Sequence, residues 1–321
     1  MSYPKKIKKI NYLINKIPVK LLLSRKKFKL ENSILIFSEP RTGSTWLMQI
    51  LNQLPNTVIN WEPLHLGKGV FKSKCNWDFR PYFNNDDLDP ECIEAMKDVL
   101  TLNNYSNWTI KYISLIDLIK SKTVVTKFIR ANLIIPWILN NFNFNNPPIQ
   151  MFRHPIDTNI SIIKTFKGYN INKTINDCKY DFDAGFIKSL NTKLEKKIAI
   201  WCENYVNLIK NPDIMGETII VFYEDLITNP KVEVRRIIKK LNVNCSVEKL
   251  IQKYDFRKPS RTDFANTLQK VPEEQLRKNI RNLDKKAKKK IQNIFDHYEF
   301  NLYNAFTPYP NKMSLKSTYS F

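Results

Sequence analysis

The chain has few of the features that usually announce a function. Its five cysteines, Cys75, Cys92, Cys178, Cys202 and Cys245, are odd in number and include no Cys-x-x-Cys pair. That spacing implies neither a disulfide framework nor a zinc site. Free thiols point to a reducing interior and hence a cytoplasmic address. No run of 18 or more apolar residues occurs, so no membrane span is expected. No repeat or low-complexity linker marks a domain boundary, and histidine occurs only at 65, 154 and 297. The Walker spacing of Gly, four residues, then Gly-Lys-Ser/Thr is missing too. That absence counts against a nucleotide kinase or another magnesium-dependent P-loop enzyme.

Basic residues, by contrast, are abundant. Lys and Arg number 52 against 30 Asp and Glu, a net charge of +22, which raises the local concentration of anionic partners. The same surplus comes with many Asn and Ile residues, as in AT-rich genomes, so a solvated basic surface explains it equally. A noncatalytic protein that binds polyanions is a further alternative, although nucleic acid is not the expected partner. Residues 1–30 read as a basic extension, from Lys5-Lys6-Ile7-Lys8-Lys9-Ile10 to Lys26-Lys27, with Pro18 between. It lacks the clean apolar stretch of a signal peptide. It is either a flexible tail or a segment that lies on an anionic membrane surface. A 43% hydrophobic content suffices for one large core, and residues 31–321 are expected to form a single domain.

The most informative segment is Ser33 to Trp46. Ile34-Leu35-Ile36-Phe37 is a short apolar run of buried-strand type. Pro40 and Gly43 punctuate the turn that follows, and Trp46, Leu47, Ile50, Leu51 and Leu54 recur at helical spacing. The amides of Gly43, Ser44 and Thr45 then fall at a helix N-terminus, which favours an anion. Arg41 adds a planar fork of donors. A surface turn before an ordinary helix would read the same way. Ile149-Gln150-Met151-Phe152 repeats the theme: a strand ends at Arg153, Pro155 opens a helix, and Ser161 lies two turns along it. Two strand–Arg–helix corners suit a ligand with two separated anionic groups. Alternatively, Arg153 pairs with Asp157. Strands near 33–38, 57–60, 123–129, 149–153 and 218–223 alternate with helices, the pattern of an α/β parallel sheet.

At these residues the chain resembles sulfotransferases that use 3'-phosphoadenosine 5'-phosphosulfate (PAPS). Pro40 to Thr45 match that family's 5'-phosphosulfate loop, including Thr42, and Trp46 matches the tryptophan that stacks on adenine. Arg153, Pro155 and Ser161 match the 3'-phosphate element. Val221-Phe222-Tyr223-Glu224-Asp225-Leu226 with Asn229-Pro230 matches a third motif, which puts Tyr223 at the nucleotide. The resemblance, over residues 33 to 241, implies a P-loop-like central parallel sheet with helices on both faces. It also implies PAPS as donor, a hydroxyl acceptor and no metal.

The cytosolic members are similar in having Lys-Thr-His at a middle strand end, with His as base. This chain keeps Lys127 but has Ile129 in the place of that histidine. Carbohydrate and tyrosylprotein sulfotransferases use a glutamate at the end of the strand that follows the first helix. Thr57 to Glu62 fit, and Glu62-Pro63 is typical of the carbohydrate group, which makes a glycan hydroxyl the leading acceptor. By that resemblance Glu62 is the general base, while Arg41 and Lys127 hold the sulfuryl oxygens. A strand-end carboxylate paired with a surface Lys would look alike in sequence, and His65 is the rival base. Leu66 to Asn107, rich in aromatic residues, reads as an acceptor-side lid. A helix over 187–210 carries a core stripe from Leu190 to Leu208. In Phe256 to Thr262 the family's Arg-Lys-Gly becomes Arg-Lys-Pro, with Ser260 and Arg261 as further 3'-phosphate contacts.

Overall fold

Five short runs of β-branched and aromatic residues form the strands β1 (Ile34–Ser38), β2 (Thr57–Trp61), β3 (Thr123–Ile129), β4 (Ile149–Phe152) and β5 (Ile219–Phe222). Each lies within a residue or so of its expected position. They make one sheet of order β2-β3-β1-β4-β5 in which every pairing is parallel. Every residue of β1, β2, β4 and β5 is buried, as a sheet covered on both faces requires. Alternation along the strands divides the core. Leu35, Phe37, Phe128, Phe152 and Phe222 face one apolar cluster. Ile34, Ile36, Trp61, Val125 and Met151 face the other. The computed structural model describes residues 16–70, 75, 80–83, 89–166, 171, 183–241, 243–253 and 272–316. The Lys5 to Ile10 run and the Phe256 to Thr262 turn, with Ser260 and Arg261, lie outside the described residues.

The helices used below are α1 (Ser44–Leu51), α2 (Pro90–Leu100), α3 (Pro155–Thr165), α4 (Lys193–Lys210), α5 (Tyr223–Thr228) and α6 (Lys285–His297). Among the described residues, no helix is long and apolar enough to cross a membrane. α6 packs on α4 through Ile291, Ile294 and Phe295, with Lys285, Lys286 and Lys289 exposed and Lys290 Nζ 3.9 Å from Glu195 Oε1 of α4.

Four sequence expectations need correction. The helix expected over 187–210 is two helices, because Thr192 and Glu195 form a capping box that restarts it as α4. The aromatic stretch read as a lid divides as well. Asp89 caps α2, whose Cys92, Ala95, Met96, Val99 and Leu100 are buried, so this half is core. The N-terminal extension is not free throughout: residues 16–23 are helical, and Val19 and Leu23 are buried against Val58 and Val124. Lys16 Nζ fastens that helix by donating to the carbonyls of Ile110 (3.0 Å) and Ile113 (2.6 Å). Finally, Cys75 and Cys92 form a disulfide across 17 residues. It ties Cys75 to the first turn of α2, a pairing that no local spacing reveals. The cysteine argument for a reducing compartment therefore fails.

Candidate functional site

Strand register alone brings the first cluster together. β3 lies between β2 and β1, and Lys127 is level with Trp61 on one side and Ile36 on the other. Glu62, the residue after β2, donates its amide to the Lys127 carbonyl at 3.1 Å. Its Oε1 accepts from Lys127 Nζ at 2.8 Å. The same ammonium donates to Thr45 Oγ1 at 3.1 Å and lies 4.0 Å from the Trp61 ring centroid. Lys127 is only 1% exposed, and burial holds its pKa below the usual lysine value against the opposing pull of Glu62. One ammonium thus joins the β1 loop, the end of β2 and the middle of the sheet.

The β1 loop is built for close approach. Thr42, fully buried, donates its hydroxyl to the Glu39 carbonyl at 2.9 Å, so its side chain is committed to the turn. Gly43 caps α1 at φ 94°, a left-handed conformation that disfavours side chains. A Cβ there would lie 2.6 Å from Tyr223 Cδ2. The first α1 bond runs from the Trp46 amide to the Gly43 carbonyl, which leaves the amides of Gly43, Ser44 and Thr45 as helix-start donors. Gly43→Ala is expected to cost about 1 to 3 kcal/mol in denaturant unfolding, from backbone strain and the displaced Tyr223 ring. An unchanged midpoint would contradict that account. Trp46 is 7% exposed and packs with the apolar cluster on the α1 side of the sheet.

The two arginine corners form a single site. Arg41 Nε donates to Ser161 Oγ at 2.9 Å, and Arg153 Nη1 donates to the Arg41 carbonyl at 2.9 Å. The Arg153 guanidinium lies 4.2 Å over the Tyr223 ring. Asp157, the alternative partner for Arg153, accepts from Asn279. Glu224 fixes this corner from below. It accepts from the His154 amide at 2.8 Å and from the Tyr303 hydroxyl at 3.0 Å, and burial pushes its pKa up to about 7. The ends of β4 and β5, which carry Arg153 and Tyr223, are thereby held together. His154 is fully buried with Nε2 3.0 Å from the Asn304 carbonyl, which suits packing rather than chemistry.

Three side chains here escaped the sequence reading. Arg130 follows β3 directly, as Arg153 follows β4, so the same strand-end rule would have found it. Lys111 lies 3.7 Å from the Trp108 ring centroid and 4.1 Å from that of Trp61. Burial lowers its pKa to about 8, with Glu62 opposing and Lys127 adding to the shift. Arg80 forms a buried two-pronged ion pair with Glu39, the residue before the loop. Arg41, Glu62 and Arg130 also share positive φ, at 69°, 42° and 62°. Strained backbone just beyond three adjacent strands is typical of a functional site.

Residues 31–307 match the family described as the sulfotransferase domain. The chain belongs to that family. Sulfuryl transfer is therefore the general chemistry of this chain. Comparison with curated proteins gives no match. Among solved structures, the sulfotransferase domain from the curacin biosynthetic pathway is 19% identical, with a TM-score of 0.40, over 83% of this chain and 97% of that one. The mouse sulfotransferase SULT7A1 complexed with PAP is 11% identical, with a TM-score of 0.45, over 89% and 91%. The sulfotransferase domain from the Synechococcus PCC 7002 olefin synthase is 18% identical, with a TM-score of 0.41, over 87% and 100%.

Proposed function

We propose that this sulfotransferase, as a domain over residues 31–321, moves a sulfuryl group from PAPS to a hydroxyl acceptor, with Glu62 as general base. Carbohydrate is the leading acceptor class, by the Glu62-Pro63 pair. The observation that carries the reading is the ammonium of Lys127, which contacts both Glu62 Oε1 and Thr45 Oγ1. A cation shared by a carboxylate and a helix-start anion loop sits where base and donor must meet. The acceptor hydroxyl gives its proton to Glu62 while its oxygen bonds to sulfur. The sulfur–oxygen bond to the 5'-phosphate breaks, and adenosine 3',5'-bisphosphate leaves. Arg41 and Lys127 hold the sulfuryl oxygens, and the amides of Gly43, Ser44 and Thr45 cradle the 5'-phosphate. Arg153 and Ser161 hold the 3'-phosphate. Ile17 and Leu21, 61% and 57% exposed on the N-terminal basic helix, support peripheral contact with an anionic membrane.

Adenosine 3',5'-bisphosphate is expected to raise the melting temperature well above the effect of AMP or ATP, because Arg153 and Ser161 form a second anion site beyond the 5'-loop. Arg153→Ala should remove most of that preference. Equal shifts with AMP and the bisphosphate in the native protein would overturn the assignment of PAPS as donor.

A further inference from the structure

Beside the β1 loop lies a cavity of about 480 Å³, bounded by Pro40 of the loop, by His65 beyond Glu62, and by α3 and α4. Its volume is that of a small-molecule site. Two kinds of surface meet in it. Ile162 of α3 with Ile200 and Trp201 of α4 make an apolar wall, and Arg130, Lys197 and the Arg80–Glu39 pair bring charge. Arg80 and Glu39 pair with each other, and Arg130 and Lys197 bring two further cations to the lining. They arrive from different elements, the end of β3 and the middle of α4. Lys197 is 5% exposed. Burial lowers its pKa to about 7, Arg80, Lys193 and Arg130 add to the shift, and Glu39 opposes it. A cation so placed gains from an anion in the cavity more than a surface lysine would. The indole N–H of Trp201, 2% exposed and in the apolar wall, has no hydrogen-bond acceptor among the described residues. A buried donor in that state costs stability that a ligand oxygen would restore.

We infer that this cavity is the acceptor subsite and that it selects a hydroxyl compound with an apolar face and an anionic group. The anion lies between Arg130 and Lys197, the apolar face lies on Ile162 and Ile200, and the Trp201 N–H donates to a ligand oxygen. A neutral, wholly polar acceptor would make no use of the two cations and would leave the apolar wall wet. The inference rests on the sulfuryl-transfer reading of the adjacent loop and narrows its acceptor class.

The test is calorimetric binding to the full chain saturated with adenosine 3',5'-bisphosphate, so that no turnover is needed. The probes are 4-nitrophenyl β-D-glucuronide, its neutral glucoside and the glucoside 6-phosphate, which share an apolar aryl group and sugar hydroxyls. At least one anionic glycoside is expected to bind tenfold or more tighter than the glucoside, and which one does so identifies the anion. Lys197→Met, which keeps the buried stem, should abolish that preference, and Arg130→Met should weaken it. Equal binding of all three probes, binding of none, or a preference that survives Lys197→Met would overturn the inference. Failure of the bisphosphate itself to bind would instead sink the donor reading, so the two failures are distinct.

Discussion

Lys127→Ala is expected to lower turnover by ~10² or more while changing affinity for adenosine 3',5'-bisphosphate far less, since a positioned cation of this kind acts mainly on transition-state charge. The bisphosphate lacks the sulfuryl group that Lys127 is placed to hold. On the proposed reading its remaining contacts are with the helix-start amides, Arg41, Arg153 and Ser161. Some effect on binding is expected, because Lys127 also steadies Thr45 through a 3.1 Å hydrogen bond. Removing a buried partner further leaves the Glu62 carboxylate, 13% exposed, without its ion pair. Such a loss destabilises a protein. Lys127→Met, which retains the stem, is therefore the companion variant, with melting temperature measured for both. Steady-state kinetics and product titration separate the outcomes. Normal turnover with poor product binding would move Lys127 into the nucleotide pocket and out of the transfer step.

The parts of this fold that are local in sequence were legible in it. Buried parallel strands are short apolar runs bounded by turns, so β1 to β5 could be located, and the ends of β1 and β4 pointed to candidate anion-binding corners. Gly43, Arg153 and Ser161 followed from that logic, and the structure joins them through Tyr223 and Arg41. What escaped depends on pairs that only the fold brings together. Arg80 and Glu39 are 41 residues apart, and the two half-cystines are separated by 17 in sequence. Lys111 reaches the site because its own segment folds back on Trp61, for which no local pattern exists. The Thr192–Glu195 capping box, by contrast, was present as Thr-x-x-Glu and was overridden by a continuous apolar stripe. The alternative reading of Glu62, a carboxylate paired with a surface lysine, fails on burial: its partner is the 1% exposed Lys127.

That burial sharpens the choice of base. Lys127 engages Oε1 of Glu62, and Oε2 has no hydrogen-bond partner among the described residues. On the proposed reading Oε2 is therefore the oxygen that takes the acceptor proton. Glu62→Gln keeps the shape and still offers an oxygen to Lys127, but the amide cannot accept a proton in catalysis. Bisphosphate affinity and melting temperature should stay close to wild type while sulfate transfer falls by ~10² or more, the range typical of losing a positioned base. His65 is the control. Its Nδ1 accepts from the Gly67 amide at 3.2 Å, its own amide donates to the Glu62 carbonyl at 3.1 Å, and burial holds its pKa below the usual histidine value. Those bonds describe a turn-forming side chain that lines the cavity beside the β1 loop. His65→Ala should consequently raise KM for the acceptor more than it lowers kcat, with a kcat loss under about tenfold, below the usual contribution of a general base. An inactive His65→Ala beside an active Glu62→Gln would reverse the assignment, and the carbohydrate-type reading of the site would go with it.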